Sequence, residues 1–328
     1  MTASAAPLLS VRDLRIVFDG RRGPLTALDG VSFDIQPGEI LGMVGESGAG
    51  KSLTGTAVIG LLDPPGRIAG GEIRLEGQRI DNLPAEKMRR LRGRRIGAIF
   101  QDPLTSLHPL LTVGDQLVET ITTHLPVGRA EARGRALDLL REVGIPAAET
   151  RIDHYPHQFS GGMRQRVVIA LALCAEPTLI IADEPTTALD VSIQAQITTL
   201  LKRLCREHGT SIMLVTHDMG VIAETADRVA VMYAGRIVEI GPVEDVVRRP
   251  RHPYTAGLMA SIPSVHARHA HLNQIDGAMP RLGAIPPGCA FNPRCGRAEA
   301  FCRDHRPGLA PAAHAAACHF PLQELADA

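Results

Sequence analysis

The stretch ILGMVGESGAGKSLTG, residues 40 to 55, restricts the fold of this 328-residue chain more than any other segment. A short apolar run leads into the glycine-rich octapeptide GESGAGKS, and a helical pattern opens at its end. The octapeptide fits GxxxxGK[ST]. In that pattern glycines let backbone N–H groups turn inward around phosphate oxygens, and the following helix N-terminus adds partial positive charge. The predicted strand before it and helix after it are the context this chemistry needs. The candidate phosphate-binding residues are Gly45, Glu46, Ser47, Gly48, Ala49, Gly50, Lys51 and Ser52, with Leu53 next in the helix. Lys51 suits the β and γ phosphates, and the Ser52 hydroxyl suits Mg²⁺.

Further β-branched apolar runs, IGAIF (96 to 100), LIIAD (179 to 183) and SIMLVTH (211 to 217), alternate with helical stretches. This is the α/β pattern of a mostly parallel sheet covered by helices. LLSVRDLRIVF and LDGVSFDI alternate apolar and polar residues instead, which predicts half-exposed antiparallel strands. Residues 104 to 158 read as a helical insertion, with TVGDQLVETI and GRAEARGRALDLLREVG at helical spacing and Gly144 ending the second. After RVAVMYAGRIVEIG, Pro and Gly density rises, and a boundary near 245 to 265 with a loop-rich tail beyond is expected.

Other polar groups fall at predicted strand ends. LIIADEP delivers Asp183 and Glu184 where open α/β sheets bind ligands. Asp183 suits Mg²⁺ and Glu184 could polarise an attacking water. By itself an acidic pair there is as often a solvated turn; the phosphate loop gives it chemical meaning. Gln101 ends the strand IFQD and His217 ends LVTHD. A lone histidine is more often structural than catalytic, but a shared sheet edge favours a functional role for His217.

FSGGMRQRVVIALAL, from Phe159, resembles the signature motif of ATP-binding-cassette ATPases, and the other motifs follow that family's order from residue 8 to about 245. The resemblance implies a P-loop NTPase core with an antiparallel β subdomain and a helical subdomain at about 104 to 175. It implies ATP and Mg²⁺ as ligands, with Lys51 and Ser52 holding phosphate and metal. It also implies that Gln101 senses the metal and couples to the transport subunit, that Glu184 is the catalytic base and that His217 contacts the γ-phosphate. Ser160, Gly161 and Gly162 would act across a head-to-tail dimer, and Asp190 of ALD (188 to 190) would communicate between sites. Phe18 stands where the family places an aromatic ring against adenine. Met163 replaces the glutamine common after SGG, a change that leaves the glycine anion site intact. One cassette per chain implies a partner subunit.

FQDPLTSLHPLLTVGDQL and RHPYTAGLMASIP (251 to 263) resemble the oligopeptide/dipeptide permease branch, as does GCAFNPRCGRAEAFC followed by ACHF. That branch implies a nucleotide-binding domain at 1–250 and a C-terminal extension at 251–328. It further implies a related second ATPase in a heterodimer, two membrane permease subunits and an extracytoplasmic substrate-binding protein. Import of di- or oligopeptides is the expected function, with nickel, glutathione or sugar import, or a soluble non-transport ATPase, as alternatives. The expected location is the cytoplasmic face of the inner membrane, peripheral. Consistent with this, MTASAAPLLSVRDLRIVFDG lacks a basic leader before an apolar core, and VVIALALCA is too short to span a bilayer. The balance of 35 basic and 35 acidic residues argues against a nucleic-acid coat protein.

The six cysteines fall into two groups. Cys174 and Cys205 lie on apolar helical faces and read as core. Cys289, Cys295, Cys302 and Cys318 are separated by five, six and fifteen residues, wider than the two to four typical of structural zinc pairs. Four thiolates on a loop-rich segment suit an iron–sulfur cluster, and the branch resemblance points to [4Fe-4S]. Zinc, free thiols, or a mixed set with His305, His314 or His319 are the alternatives.

Overall fold

A computed structural model of the protein describes residues 6–21, 23–187, 189–262 and 274–322. Ala188 of the ALD motif, and residues 263–273 and 323–328 of the expected extension, lie outside the described residues, as do residues 1–5 of the expected leaderless start.

The chain opens with an antiparallel pair, β1 (Leu9–Gly20) and β2 (Gly23–Ile35). Alternation buries Val11, Leu14 and Ile16 of β1 while Arg12 and Arg15 face out, as a strand with one covered face requires. β3 (Ile40–Val44) is buried at every residue and leads through the phosphate loop into α1 (Lys51–Val58). β4 (Gly66–Leu75) and β5 (Gln78–Arg79) complete a four-stranded antiparallel sheet of order β2-β1-β4-β5. Next come α2 (Ala85–Leu91), β6 (Ile96–Ile99), α3 (Pro103–Ser106) and α4 (Val113–His124). α5 (Arg129–Glu142), α6 (Ala148–Arg151) and α7 (Gly161–Leu173) follow, then β7 (Leu179–Asp183), α8 (Val191–His208) and β8 (Ser211–Val215). α9 (Met219–Thr225), β9 (Arg228–Tyr233), β10 (Arg236–Pro242), α10 (Val243–Arg248) and α11 (Pro253–Ala260) come after these. The tail contributes α12 (Ala300–Asp304) and β11 (Ala315–Ala316).

The residues group into two compact units. One takes Gln36–Ile40 and Asn82–Val215 with the start of the chain; the other takes Leu9–Ile35, Leu41–Asp81 and the residues from Thr216 onward. In the first, β6, β7 and β8 run parallel with β7 central, and α3 to α7 form the expected helical stretch. α4 starts on Thr112, whose hydroxyl accepts the Asp115 N–H at 3.0 Å and donates to the Asp115 carboxylate at 2.7 Å. Gly144, with φ of 79°, ends α5 as its sequence position suggests. Cys174 and Cys205 are buried, as read from the apolar helix faces, and burial pushes the Cys174 thiol up to about 12.

In the second unit β3 lies parallel to β9, β9 antiparallel to β10, and β10 antiparallel to β11. The tail is thus fastened to the sheet, and a buried carboxylate does the fastening. Glu239 on β10 has no solvent exposure. It accepts the backbone N–H groups of Arg251 at 2.7 Å and His252 at 2.9 Å, and its Oε1 lies 2.7 Å from His314 Nε2. Arg251 donates in turn to the His314 carbonyl at 2.9 Å. An unsatisfied carboxylate here would be costly, so the three partners converge on it.

Replacing Glu239 with Ala strands the buried N–H of His252, the half-buried N–H of Arg251 and the His314 imidazole. Denaturation should show a loss on the order of 3 kcal/mol. The neighbouring His252 caps α11 by accepting the Tyr254 N–H at 3.1 Å on Nδ1, and burial pushes its imidazole down from 6.5 to about 4. Because the folded value lies below the unfolded one, the stability is intact above 6.5 and is lost as pH falls through about 4. The loss should reach up to about 3 kcal/mol. His252→Asn keeps a capping acceptor and removes the titrating group, so its stability between pH 6.5 and 4 should fall less steeply than that of the wild type.

Candidate active site

The phosphate loop holds its own lysine. Gly45 and Gly50 carry positive φ values of 154° and 105°. A Cβ on Gly45 would lie 2.3 Å from the Met232 carbonyl oxygen, so only glycine lets the chain pass this close to β9. Ser47, Gly48 and Ser52 are exposed, Ala49 and Lys51 are buried, and Glu46, Gly50 and Leu53 are half-buried. Lys51 Nζ donates to the carbonyls of Gly45 at 2.8 Å and Glu46 at 3.1 Å. A buried ammonium needs such acceptors, and they keep the side chain curled under the loop where an anion would sit. Phe18 lies half-buried near the end of β1, close against Gly66 of β4.

In the other unit, β7 ends at the half-buried Asp183, and Glu184 follows with φ of 47°. That left-handed conformation is uncommon for a glutamate and is held by the Glu184 N–H donating to the Val215 carbonyl at 2.8 Å. Glu184 Oε2 accepts from Gln101 Nε2 at 3.1 Å and from the Thr187 hydroxyl at 2.8 Å. Two donors on one oxygen orient the carboxylate. Gln101 and Glu184, predicted separately, are therefore in contact. Thr187 went unremarked in the sequence, although its place three residues after Glu184 was a usable signal.

Ser160 caps α7, its side chain accepting the Met163 N–H at 3.4 Å. Gly161 is exposed at the first turn, and Gly162 permits close approach of α8, since a Cβ there would meet Ile193 at 2.9 Å. Asp190 caps α8 by accepting the Ile193 N–H at 3.0 Å, and this bond, with one from Ser192, holds its carboxyl below the usual range. A local capping duty is thus visible at Asp190. His217 is exposed on the loop two residues past β8.

The four tail thiols of Cys289, Cys295, Cys302 and Cys318 line one small pocket, together with His319, Phe291 and Phe320. Burial raises the Cys289 and Cys318 thiols, and the neighbouring cysteines raise them further. Among the described residues no group of three or more His, Cys, Asp and Glu side chains is arranged to hold a metal ion, so the expected iron–sulfur cluster has no geometric support here. His314 is engaged with Glu239, and the His305 ring stacks on Phe301 at 4.0 Å.

Two tail residues with a direct bearing on the phosphate loop were not singled out from the sequence. The Tyr254 hydroxyl accepts the Glu46 N–H at 2.9 Å, and Arg294 pairs with the Glu46 carboxylate at 3.0 and 3.1 Å. Nothing in the spacing of HPYT or NPRC announces a partner more than two hundred residues away.

The ABC transporter family matches residues 28–187, and the family described as oligopeptide/dipeptide transporter, C-terminal region, matches residues 238–302. The oligopeptide transport ATP-binding protein AppD of Bacillus subtilis is 47% identical over 303 residues, 92% of this chain and 92% of that protein. The oligopeptide transport ATP-binding protein OppD of Salmonella typhimurium is 47% identical over 331 residues, 99% of this chain and 98% of its own length. The fold is similar to the dimeric post-hydrolysis structure of the ATP-binding cassette MJ0796 bound to ADP and Pi. The TM-score is 0.64 at 29% identity, covering 72% of this chain and 98% of that one. With the phosphate loop, the acidic strand end and the capped glycine helix all present, this chain belongs to the ABC transporter family, as an ATP-binding ATPase subunit carrying the oligopeptide/dipeptide transporter C-terminal region.

Proposed function

We propose that this chain hydrolyses ATP to power import of di- or oligopeptides through a membrane ABC transporter. The observation that carries this reading is likeness along nearly the whole chain, tail included, to proteins named for oligopeptide transport. Residues 1–250 serve as the nucleotide-binding domain, with the helical subdomain at about 104–175, and 251–328 as the extension.

In this reading Lys51 and the loop from Gly45 to Leu53 bind the phosphates, and Phe18 faces the adenine. Mg²⁺, when bound, neutralises charge on the β and γ phosphates; Ser52, Gln101 and Asp183 are its proposed holders, a set of hard oxygen donors that suits this ion. Glu184 takes a proton from the water that attacks the γ-phosphorus, helped by the two hydrogen bonds that orient its carboxylate. His217 contacts the γ-phosphate. Ser160, Gly161 and Gly162 act on the nucleotide of a second, homologous ATPase subunit, and Asp190 links the two sites. The dimeric cassette among the similar structures supports such a pairing.

Two membrane permease subunits and an extracytoplasmic substrate-binding protein complete the assembly, and no nucleic acid takes part. The chain sits peripherally on the cytoplasmic face of the inner membrane. No helix among the described residues is long and apolar enough to cross a membrane.

Affinity capture of the tagged chain from detergent-solubilised membranes should retain permease subunits and peptide-stimulated ATPase activity. Glu184→Gln in that assembly should still bind nucleotide but lose about 100-fold or more of its turnover. Near-normal hydrolysis by that variant would remove Glu184 as the base, and stimulation by nickel, glutathione or a sugar in place of peptide would reassign the cargo.

The cysteine pocket is proposed to hold a soft metal group, [4Fe-4S] ahead of zinc. What supports it is donor chemistry alone: four cysteines of one tail segment line one pocket and thiolates suit either group, while their arrangement among the described residues is not one that holds a metal ion. Burial holds the Cys289 and Cys318 thiols above their ordinary values, so those two would have to release protons to ligate a cation. Anaerobic purification followed by iron, sulfide and zinc analysis should return iron and sulfide near four each per chain for such a cluster. Zinc at about one per chain without sulfide would replace it with a zinc site.

A further inference from the structure

Arg294 lies between Cys289 and Cys295 in the tail, yet its guanidinium is spent on the phosphate loop. Its side chain is 7% exposed. Nη1 donates to both Glu46 carboxylate oxygens, at 3.0 and 3.1 Å, and to the Tyr233 hydroxyl at 3.4 Å. Nε donates to the Asp276 carbonyl at 2.8 Å, while Nη2 donates to the carbonyls of Ile275 at 3.2 Å and Gly277 at 3.4 Å. The guanidinium carbon also stands 5.8 Å from the Tyr233 ring centre and 6.0 Å from that of Phe291. Burying a cation so completely is costly unless its donors are used, and here the backbone carbonyls orient the fork toward residue 46.

Residue 46 is held from both sides. From the tail, Tyr254 takes its N–H and Arg294 takes its carboxylate. On the loop side, its carbonyl accepts from Lys51 Nζ at 3.1 Å and from the Ala49 N–H at 3.1 Å. The same residue thus connects the tail to the lysine that meets the phosphates. Charge adds a second reason. Without its cation, the Glu46 carboxylate would stand in a phosphate-binding loop and repel a polyanion, and in a half-buried site that repulsion is only weakly screened.

We infer that Arg294 is a positioning residue for nucleotide binding, through which the C-terminal extension neutralises Glu46 and sets the geometry of the phosphate loop. The inference rests on the reading of that loop as the ATP site. Its hydrogen bonds tie Arg294 to Glu46, Tyr233 and the carbonyls of residues 275 to 277, so its effect is expected on ATP affinity rather than on the hydrolytic step.

The experiment measures ATPase kinetics of the assembled transporter carrying variants of this chain. Arg294→Ala should raise KM for ATP about tenfold with kcat held within about twofold, a size typical of coupled neighbours. Arg294→Lys, which keeps the charge but not the fork, should raise KM by about threefold. Glu46→Gln added to Arg294→Ala should lower KM again, because it removes the uncompensated charge, whereas a purely structural role for Arg294 gives no such recovery. An unchanged KM in Arg294→Ala, or a double variant no better than the single one, overturns the inference. If Arg294→Ala does not assemble, the lysine variant decides, a wild-type KM being the overturning result. A wild-type assembly that neither binds nor hydrolyses ATP would instead overturn the nucleotide-site reading, and this inference with it.

Discussion

A lysine ammonium buried beneath a glycine loop must find oxygen acceptors, and the carbonyls of Gly45 and Glu46 lie within reach. Much of the phosphate loop follows from that constraint. The chain can curl over the ammonium only if Gly45 passes Met232 without a side chain and Gly50 takes a positive φ at the start of α1. Once curled, the loop leaves Ser47, Gly48 and Ser52 at the surface. The loop thus satisfies the charge of Lys51 from within its own backbone.

The acidic strand end uses a different device. Glu184 occupies a backbone region that glutamate rarely visits, and Val215, Gln101 and Thr187 together hold it there. Glu76 and Glu176 share that left-handed backbone, so what sets Glu184 apart is the convergence of the Gln101 amide and the Thr187 hydroxyl on one of its carboxylate oxygens. By contrast Asp190 and Ser160 have plain architectural work as helix caps. The same side chain can cap a helix and face a partner, and capping also fixes where the glycine-rich start of α7 presents its N–H groups.

The tail is more than an appendage to the cassette. Glu239 collects Arg251, His252 and His314, and the aromatic rings of Tyr233, Tyr254 and Phe291 pack against one another at 4.7 to 5.4 Å between centres. These contacts bring the segment that carries the cysteines onto the unit that carries the phosphate loop. Polar groups buried this deeply tolerate few alternatives, so the extension has one defined seat rather than many.

Local pattern was enough to read β3 and α1 around GESGAGKS, the alternation of β1 and β2, the helices from 104 to 158, the stop at Gly144 and the apolar burial of Cys174 and Cys205. Each of these depends on periodicity or on a residue's own backbone preference, which neighbours in sequence carry. β4 and β5 escaped notice because glycines and charges interrupt GRIAGGEIRL, and pairing with β1 makes it a strand. The four cysteines could be seen as a group, but their meeting around one pocket is a matter of loop geometry. The links from Tyr254 and Arg294 to Glu46 had no local signal at all. Sequence alone settled which chemistry the chain carries, since phosphate loops and acidic strand ends are short and self-contained. Tertiary structure alone decided what holds that chemistry in place, because a buried charge takes its partner from whatever part of the chain folding brings beside it.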